Sequence, residues 1–296
     1  MITDIREQDN GYGGAEESFM TDSLAQSGLA LSVLLFVILA ALEAIFPRKK
    51  RSMPRGQRWR TNVVIIIVDS IALRLMGPAA AIAAASYAAQ NGIGLFNWIG
   101  LPDWLEFILA LIIFDLAIYA QHVISHKVPL LWALHKVHHA DRDIDVTTAV
   151  RFHPFEIILS MLYKCVLVFL LGPSVFAVFL FALLLNLFAM FNHANLRLPL
   201  SVDGILRLFV VTPDMHRVHH STVVEETDSN FGFSIALWDR LFGTYTAQPA
   251  AGHDDVVIGL DEYQSDHPNE LWWSLLLPFH DRYRSKERSG YKRNST

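Results

Sequence analysis

Long apolar runs alternate with shorter, more polar links along the 296 residues of the chain. The first run, from about Leu24 to Phe46, is long enough to cross a bilayer as a helix. A second covers 62–88, is rich in alanine and contains Gly77-Pro78. A third extends from about Trp104 to His126, and the chain is apolar again from Glu156 to Phe191 with Gly172-Pro173 in the middle. That last stretch exceeds one span. Two helices of about seventeen residues, turning at Gly172-Pro173, would each rise about 25 Å, enough for a thin crossing. The pattern predicts an all-α membrane protein with about four to five transmembrane helices, the last two as a hairpin, plus a helical His-rich cap.

The polar segments divide the chain further. Residues 1–23 are acidic and glycine-containing and read as a flexible tail. Residues 24–104 hold the N-terminal membrane helices and the loop "PRKKRSMPRGQRWR" at 47–60, with seven Lys/Arg and no acid. Residues 105–247 carry the chemistry, and 248–296 form a C-terminal cap containing "NELWWSLLLPF", which reads as an interfacial helix. The first run lacks a basic flank before it and a cleavage site after it, so it reads as an anchor rather than a signal peptide. The positive-inside rule puts the 47–60 loop in the cytoplasm and the N-terminus outside. The link 89–103, without Lys or Arg, then lies outside, and the segments around His122–His139, His193 and 195–296 all return to the cytoplasmic face.

Composition agrees: 52% of residues are hydrophobic and only 18% charged, as in an integral membrane protein. The net charge of −5 and the absence of a basic stripe give no reason to expect nucleic acid. A single cysteine, Cys165, excludes a disulfide framework and a cysteine-based metal site. Any metal chemistry therefore falls to histidine.

Histidines are clustered. "HVISH" places His122 and His126 four apart; "HKVHH" gives His135, His138 and His139; "HRVHH" gives His216, His219 and His220. Positions three and four apart share a helix face, whereas neighbours such as His138 and His139 diverge by about 100°. A doubled H-x-x-H-H therefore suits two metals. Thr212 and Pro213 form a helix start before "DMHRVHH", and Pro129 forces a break after "HVISH". His153 in "RFHPFE" and His193 in "FNHANLRLP" bring the candidates to ten, while His253, His267 and His280 match no spacing and read as ordinary polar side chains. Zinc needs four groups or three plus water. Ten imidazoles over two metals give about five each and leave an open octahedral position, which suits iron, although zinc can substitute in a purified sample. Asp141, Asp143, Asp145, Asp214, Asp228 and Asp239, together with Asn230, are available to orient the imidazole N–H groups.

At these residues the sequence resembles the fatty acid hydroxylase/sterol desaturase superfamily over roughly 105–247. The pieces are "HVISH", "LLWALHKVHH", "TTAVRFHPFE", "FNHANLRLP", "TPDMHRVHHS" and "DSNFGFSIALWDRLFGTY". The resemblance implies an integral membrane di-iron oxygenase, its histidine site on the cytosolic side, using O2 and two electrons to hydroxylate or desaturate a lipid C–H bond. His122 and His126 match the first histidine box, His135, His138 and His139 the second, and His216, His219 and His220 the third. His193 matches the histidine that sterol-type members carry in this loop. The chain lacks the further histidine, near Ala189, of fatty acid 2-hydroxylase members and has the sterol-type "HP" pair at His153-Pro154. This makes His153 the expected tenth ligand and a sterol-type substrate the favoured one over a plain fatty acyl chain.

No nucleotide fingerprint or iron–sulfur motif is present: "GYGG" at 11–14 lies in the tail, not between a strand and a helix. Electrons are thus expected from a separate donor of ferredoxin, rubredoxin or cytochrome b5 type, to which the 47–60 loop offers positive charge. The competing classes are a zinc-dependent membrane hydrolase, which would want a carboxylate inside the metal motif, and a metal transporter, which would want ligands at the bilayer midplane.

Overall fold

The computed structural model describes residues 12–77 and 80–280. Most of the acidic tail's charged residues and Pro78 of the Gly-Pro pair lie outside that range. Among the described residues there is no strand, only isolated bridges such as Pro47 with Leu196. The helices are α1 (Tyr12–Ile45), α2 (Arg55–Met76), α3 (Ala80–Gln90), α4 (Leu95–Ile99), α5 (Asp103–Lys127), α6 (Pro129–His139), α7 (Pro154–Leu171) and α8 (Val175–His193). Short cap helices follow: α9 (Leu200–Leu206), α10 (Pro213–His219), α11 (Val224–Thr227), α12 (Leu237–Leu241), α13 (Gly252–Asp255) and α14 (Leu271–His280). Five stretches are long and apolar enough to cross a membrane: Gln26–Ile45, Arg55–Ile99, Asp103–Lys127, Pro154–Leu171 and Val175–His193. The chain is an all-α, multi-pass membrane protein.

Two expectations change in detail. The helix of the first span starts at Tyr12, inside the stretch read as tail. The second apolar segment is not one helix: α2 ends at Gly77, whose φ of 115° no β-carbon-bearing residue adopts comfortably, and α3 begins at Ala80. The interrupted pair still runs from one end of the bundle to the other. Arg58, near the start of α2, lies beside Asp141, and the link after α3 meets the turn of the α7–α8 hairpin. At that turn Gly172 takes the left-handed conformation that closes α7, and a β-carbon on Gly94 would collide with the Gly172 backbone, one on Gly172 with the Ile93 carbonyl.

The span interior is apolar, with Ala85, Phe114, Val168, Ala177 and Phe181 at its centre. Phe114 and Phe181 stack at 5.1 Å between centroids. The cap is held differently, by buried charge. Arg58 donates from Nε to Asp141 at 2.9 Å and from Nη1 to Asp145 at 2.7 Å. Asn62, one turn further on, donates to Asp141 and to Thr147. Arg151, fully buried, donates to the carbonyls of Val137 and Pro268, to Asn62 and to Ser274. These bonds fasten α2, α6 and α14 around the loop after α6. The 47–60 loop is therefore stitched into the cap: Arg48 pairs with Asp214 and Asp254, and Arg55 with the buried Glu43.

Truncating one partner of a buried ion pair leaves uncompensated charge, at a cost of about 3–5 kcal/mol. Arg58→Ala is accordingly expected to lower the midpoint of unfolding in detergent by that equivalent, with Arg58→Lys in between. An unchanged midpoint would remove the network from this role.

Candidate metal centre

Four helix ends meet at one place. The last two turns of α5 supply His122 and His126; the last two turns of α6 supply His135, His138 and His139; α8 ends on His193; α10 and the residue after it supply His216, His219 and His220. The local sequence sets each end. Pro129 sits at the first position of α6 and so separates it from α5. The Thr212 hydroxyl accepts from Met215 N–H and starts α10, with Pro213 next. The nine rings fall into two groups, His122, His126, His135, His139 and His219 in one and His138, His193, His216 and His220 in the other. Within each group the ligand atoms lie within 4.8 Å of one another. The neighbours His138/His139 and His219/His220 are divided between the groups, as a one-residue offset on a helix requires.

The outer nitrogens are anchored. Nδ1 of His122 donates to the Phe231 carbonyl at 2.7 Å, Nδ1 of His219 to Ser229 at 2.7 Å and Nδ1 of His193 to Ala189 at 2.6 Å. Nδ1 of His138 faces the Arg151 carbonyl at 3.3 Å, and Nδ1 of His135 the Glu156 carboxylate at 2.6 Å. A carbonyl can only accept, so each of these rings carries its proton on Nδ1 and turns an Nε2 lone pair inward. The inward atoms are then close: His193 Nε2 lies 3.1 Å from His138 Nε2 and 3.0 Å from His216 Nε2, and His122 Nε2 lies 3.2 Å from His135 Nε2. Nε2 of His126 and of His219, and both ring nitrogens of His139 and His220, are buried without any hydrogen-bond partner. Lone pairs facing one another in a dry interior repel, and orphaned buried nitrogens cost about 1–3 kcal/mol each. Cations between them reverse both terms, so the donor set fits metal ions.

His153 is not part of this cluster. It caps α7: its Nδ1 accepts from Phe155 N–H at 3.2 Å and its Nε2 lies 3.1 Å from the Leu275 carbonyl, to which it donates. That tautomer commits the only lone pair to the cap, and the expected tenth ligand stands outside both groups. The groups expected to orient the rings are also redistributed. Asp228 alone reaches one of the nine rings, 3.5 Å from His126 Nδ1. Asp141 and Asp145 serve Arg58, and Asp143 accepts from the Ser52 and Met53 amides. Asp214 pairs with Arg217 and Arg48.

Asn230 and Asp239 act one step behind the site. Asn230 holds a left-handed backbone, φ 50°, fixed by its own side chain, which donates to the Met215 and Thr246 carbonyls. Asp239 accepts the amides of Phe231 and Gly232. Between them they aim the flanking Ser229 and Phe231 carbonyls at His219 and His122. Glu156 is the residue the sequence reading passed over. Its signal was present, as the one acid in the apolar stretch 156–191. The carbonyl acceptors carried no sequence signal at all.

A cleft of about 270 Å³ beside His126, lined also by Trp132, Thr222, Asp228, Leu260 and Asp261, approaches the first group from outside. Trp132 stands 4.8 Å from His126 and 5.4 Å from His139, ring centre to ring centre.

The fold and site define a membrane-spanning helical protein with a buried polyhistidine cluster that can hold metal. Residues 107–244 match the fatty acid hydroxylase family. It is 31% identical over 188 residues to the alkylglycerol monooxygenase of Homo sapiens, spanning 63% of this chain and 38% of that protein. It is 25% identical over 257 residues to the ornithine lipid hydroxylase OlsE of Rhizobium tropici, spanning 84% of this chain and 76% of that one. A very-long-chain aldehyde decarbonylase of Oryza sativa, GL1-11, is 28% identical over 163 residues, which is 54% of this chain and 60% of that protein. The chain thus spans well under two thirds of the alkylglycerol monooxygenases it matches. No solved structure matches at a significant level.

Two measurements probe the centre. Loss of an outer-sphere carboxylate costs about 10–100-fold in metal affinity, so Glu156→Gln is expected to weaken metal retention on dialysis by that factor, whereas His153→Ala retains full metal. The second is pH. Burial, then repulsion from neighbouring rings, holds His138, His139, His216 and His220 well below the ordinary imidazole range, and burial sets His219 at about 3. The unfolded chain takes up protons near pH 6.5 that the folded rings refuse. Metal-free protein should therefore be indifferent to these rings above about pH 7 and lose stability steadily from about pH 6.5 down towards 3. A flat unfolding midpoint across that window would contradict the assignment.

Proposed function

We propose that the protein is an O2-dependent, non-haem di-iron monooxygenase that hydroxylates, or desaturates, a C–H bond of a membrane lipid. The observation that carries this reading is the division of nine buried imidazoles into a group of five and a group of four at the ends of membrane-length helices. Tetrahedral zinc would be oversupplied at the five-ligand position. Four or five neutral nitrogens around an octahedral ion leave one or two positions open, as a redox metal that binds oxygen needs. Bound iron would supply O2 activation there. The chain's own contribution is to fix the tautomers, keep the donors dry and hold the two groups side by side. A hydrolase would need a carboxylate base among the ligands, and Glu156 instead faces an outer nitrogen. A transporter is disfavoured because the rings lie at helix ends.

The expected preference for a sterol drew in part on the His153-Pro154 pair, and with His153 capping α7 a ligand role for it no longer adds support. The relatives whose names state a lipid act on alkylglycerols and ornithine lipids, so we favour a long-chain polar lipid whose tail lies in the bilayer. Electrons come from a separate donor in this reading. The basic loop is an unsuitable dock, since Arg48, Arg55 and Arg58 are engaged by the protein's own acids. The cleft at Trp132, with an aromatic ring beside His126 and His139, is the better approach. We place the histidine face in the cytoplasm, on the strength of the basic loop beside it.

Anaerobic purification followed by metal analysis tests the class. The expected result is one iron per histidine group and O2 uptake that depends on added lipid extract. Full loading with zinc only, together with O2 uptake that lipid does not change in iron-reconstituted protein, would overturn it. Extracts compared with and without the active protein should show a lipid gaining one oxygen.

A further inference from the structure

Asp115 is a buried carboxylate in the middle of α5, the most enclosed of the candidate spans. An acid at that depth is costly and calls for a partner. Its Oδ2 accepts from the Ile235 amide at 3.2 Å and from Trp238 Nε1 at 2.8 Å. Both donors belong to the segment that follows the third histidine cluster, which the sequence places in the cap. One turn towards the histidines, Tyr119 stacks on Phe242 at 5.4 Å and meets Thr244 through its hydroxyl at 2.8 Å. Segment 231–244 therefore runs down the side of α5.

The depth can be counted. Trp104, exposed at the first turn of α5, marks the far interface. A hydrocarbon layer of about 30 Å covers about twenty helical residues from there, reaching about residue 124. Asp115 lies about 16 Å along this path and Tyr119 about 22 Å, so both are inside it.

We infer that residues 200–209 and 231–242 form a shoulder submerged in the bilayer beside α5, with lipid as the surface they contact. The two stretches are joined by Val211 N–H to the Ser234 carbonyl and Ala236 N–H to the Phe209 carbonyl, each 3.0 Å. Their outer face presents Leu200, Ile205, Leu208, Phe209, Leu241 and Phe242, all exposed. On α5, Ile108 and Ile112, seven and three residues before Asp115 and so on the same helix face, are exposed as well. Every charge on the two stretches is engaged. Asp203 pairs with Arg207, Arg240 lies over the Tyr245 ring at 4.3 Å and donates to Ala236, and Asp239 accepts backbone amides.

Non-helical backbone survives in hydrocarbon only where its polar groups are satisfied within the protein. Here they are: Asp239 takes the Phe231 and Gly232 amides, Asn192 donates to the Phe233 carbonyl, and Asp115 takes Ile235. The polar side chains in this part of the bundle are those this re-entrant segment needs. Since Phe231 also holds His122, the shoulder ties one side of the metal centre to the membrane.

Site-directed spin labelling of the full chain in lipid nanodiscs tests this independently of metal and activity. In a Cys165→Ser background, labels at Phe209→Cys and Leu241→Cys are expected to collide with O2 and exclude a water-soluble nickel chelate, matching a label at Ile112→Cys. Glu225→Cys, on the exposed surface of the cap, should show the reverse. Chelate access at Phe209 and Leu241 equal to that at Glu225 would overturn the inference. So would exclusion of both reagents with spin–spin broadening, which would mean that a second copy covers the face. Asp115→Leu should shift the Leu241 label towards the Glu225 value and Asp115→Asn should not. If Asp115→Leu fails to fold, the labels in the otherwise unaltered chain still decide.

Discussion

Nine imidazoles crowded together in a dry interior are the constraint around which the rest of this protein is arranged. Packed imidazoles with Nε2 atoms about 3 Å apart would push the four helix ends apart unless rings were held from behind and cations lay in front. Holding from behind is the work of Nδ1–H bonds to carbonyls and to one carboxylate. The asymmetry among these anchors is informative. Four rings lean on backbone carbonyls, and His135 leans on a carboxylate, that of Glu156. The five-ring and four-ring groups are therefore chemically unequal as well as unequal in number.

The cap has to keep that arrangement rigid without a large apolar core of its own. It does so with buried charge. Arg58 and Arg151 bind loops whose carbonyls and carboxylates have no other solvent, and removing either would strand several acceptors at once. Arg151 also presents its own carbonyl to His138, so the same residue that staples α2, α6 and α14 touches the histidine cluster. Stability and site geometry are not separable in this part of the molecule.

A similar economy holds at the membrane boundary. The stretch around "DSNFGFSIALWDRLFGTY" is at once a pair of carbonyl pointers, a partner for Asp115 and an apolar face. Asn230 adopts a strained conformation, Asp239 gathers two successive amides, and Trp238 reaches Asp115. A peptide with these three polar commitments has one folded arrangement beside α5, and that arrangement fixes His122 and His219.

Much of this was legible in the chain itself. Apolar run length sets helices that cross a bilayer, and 3.6-residue periodicity with the one-position offset in "HKVHH" and "HRVHH" sets two divergent rows of imidazoles. Proline at Pro129 and Pro213 sets where the rows begin. These are local effects, decided by covalent geometry and by water's exclusion from lipid. What they leave open is every relation across the fold. His153 and His193 look alike in sequence, yet one caps a helix and the other joins the cluster, because only the approach of α14 gives His153 a carbonyl to bind. Asp141 and Asp145 look like partners for histidine, yet Arg58, more than eighty residues earlier, claims them, since a buried guanidinium needs carboxylates more than a neutral imidazole does. Which acid meets which base in a low-dielectric interior depends on the order of desolvation costs among all groups brought together, and that is known only once the helices have packed.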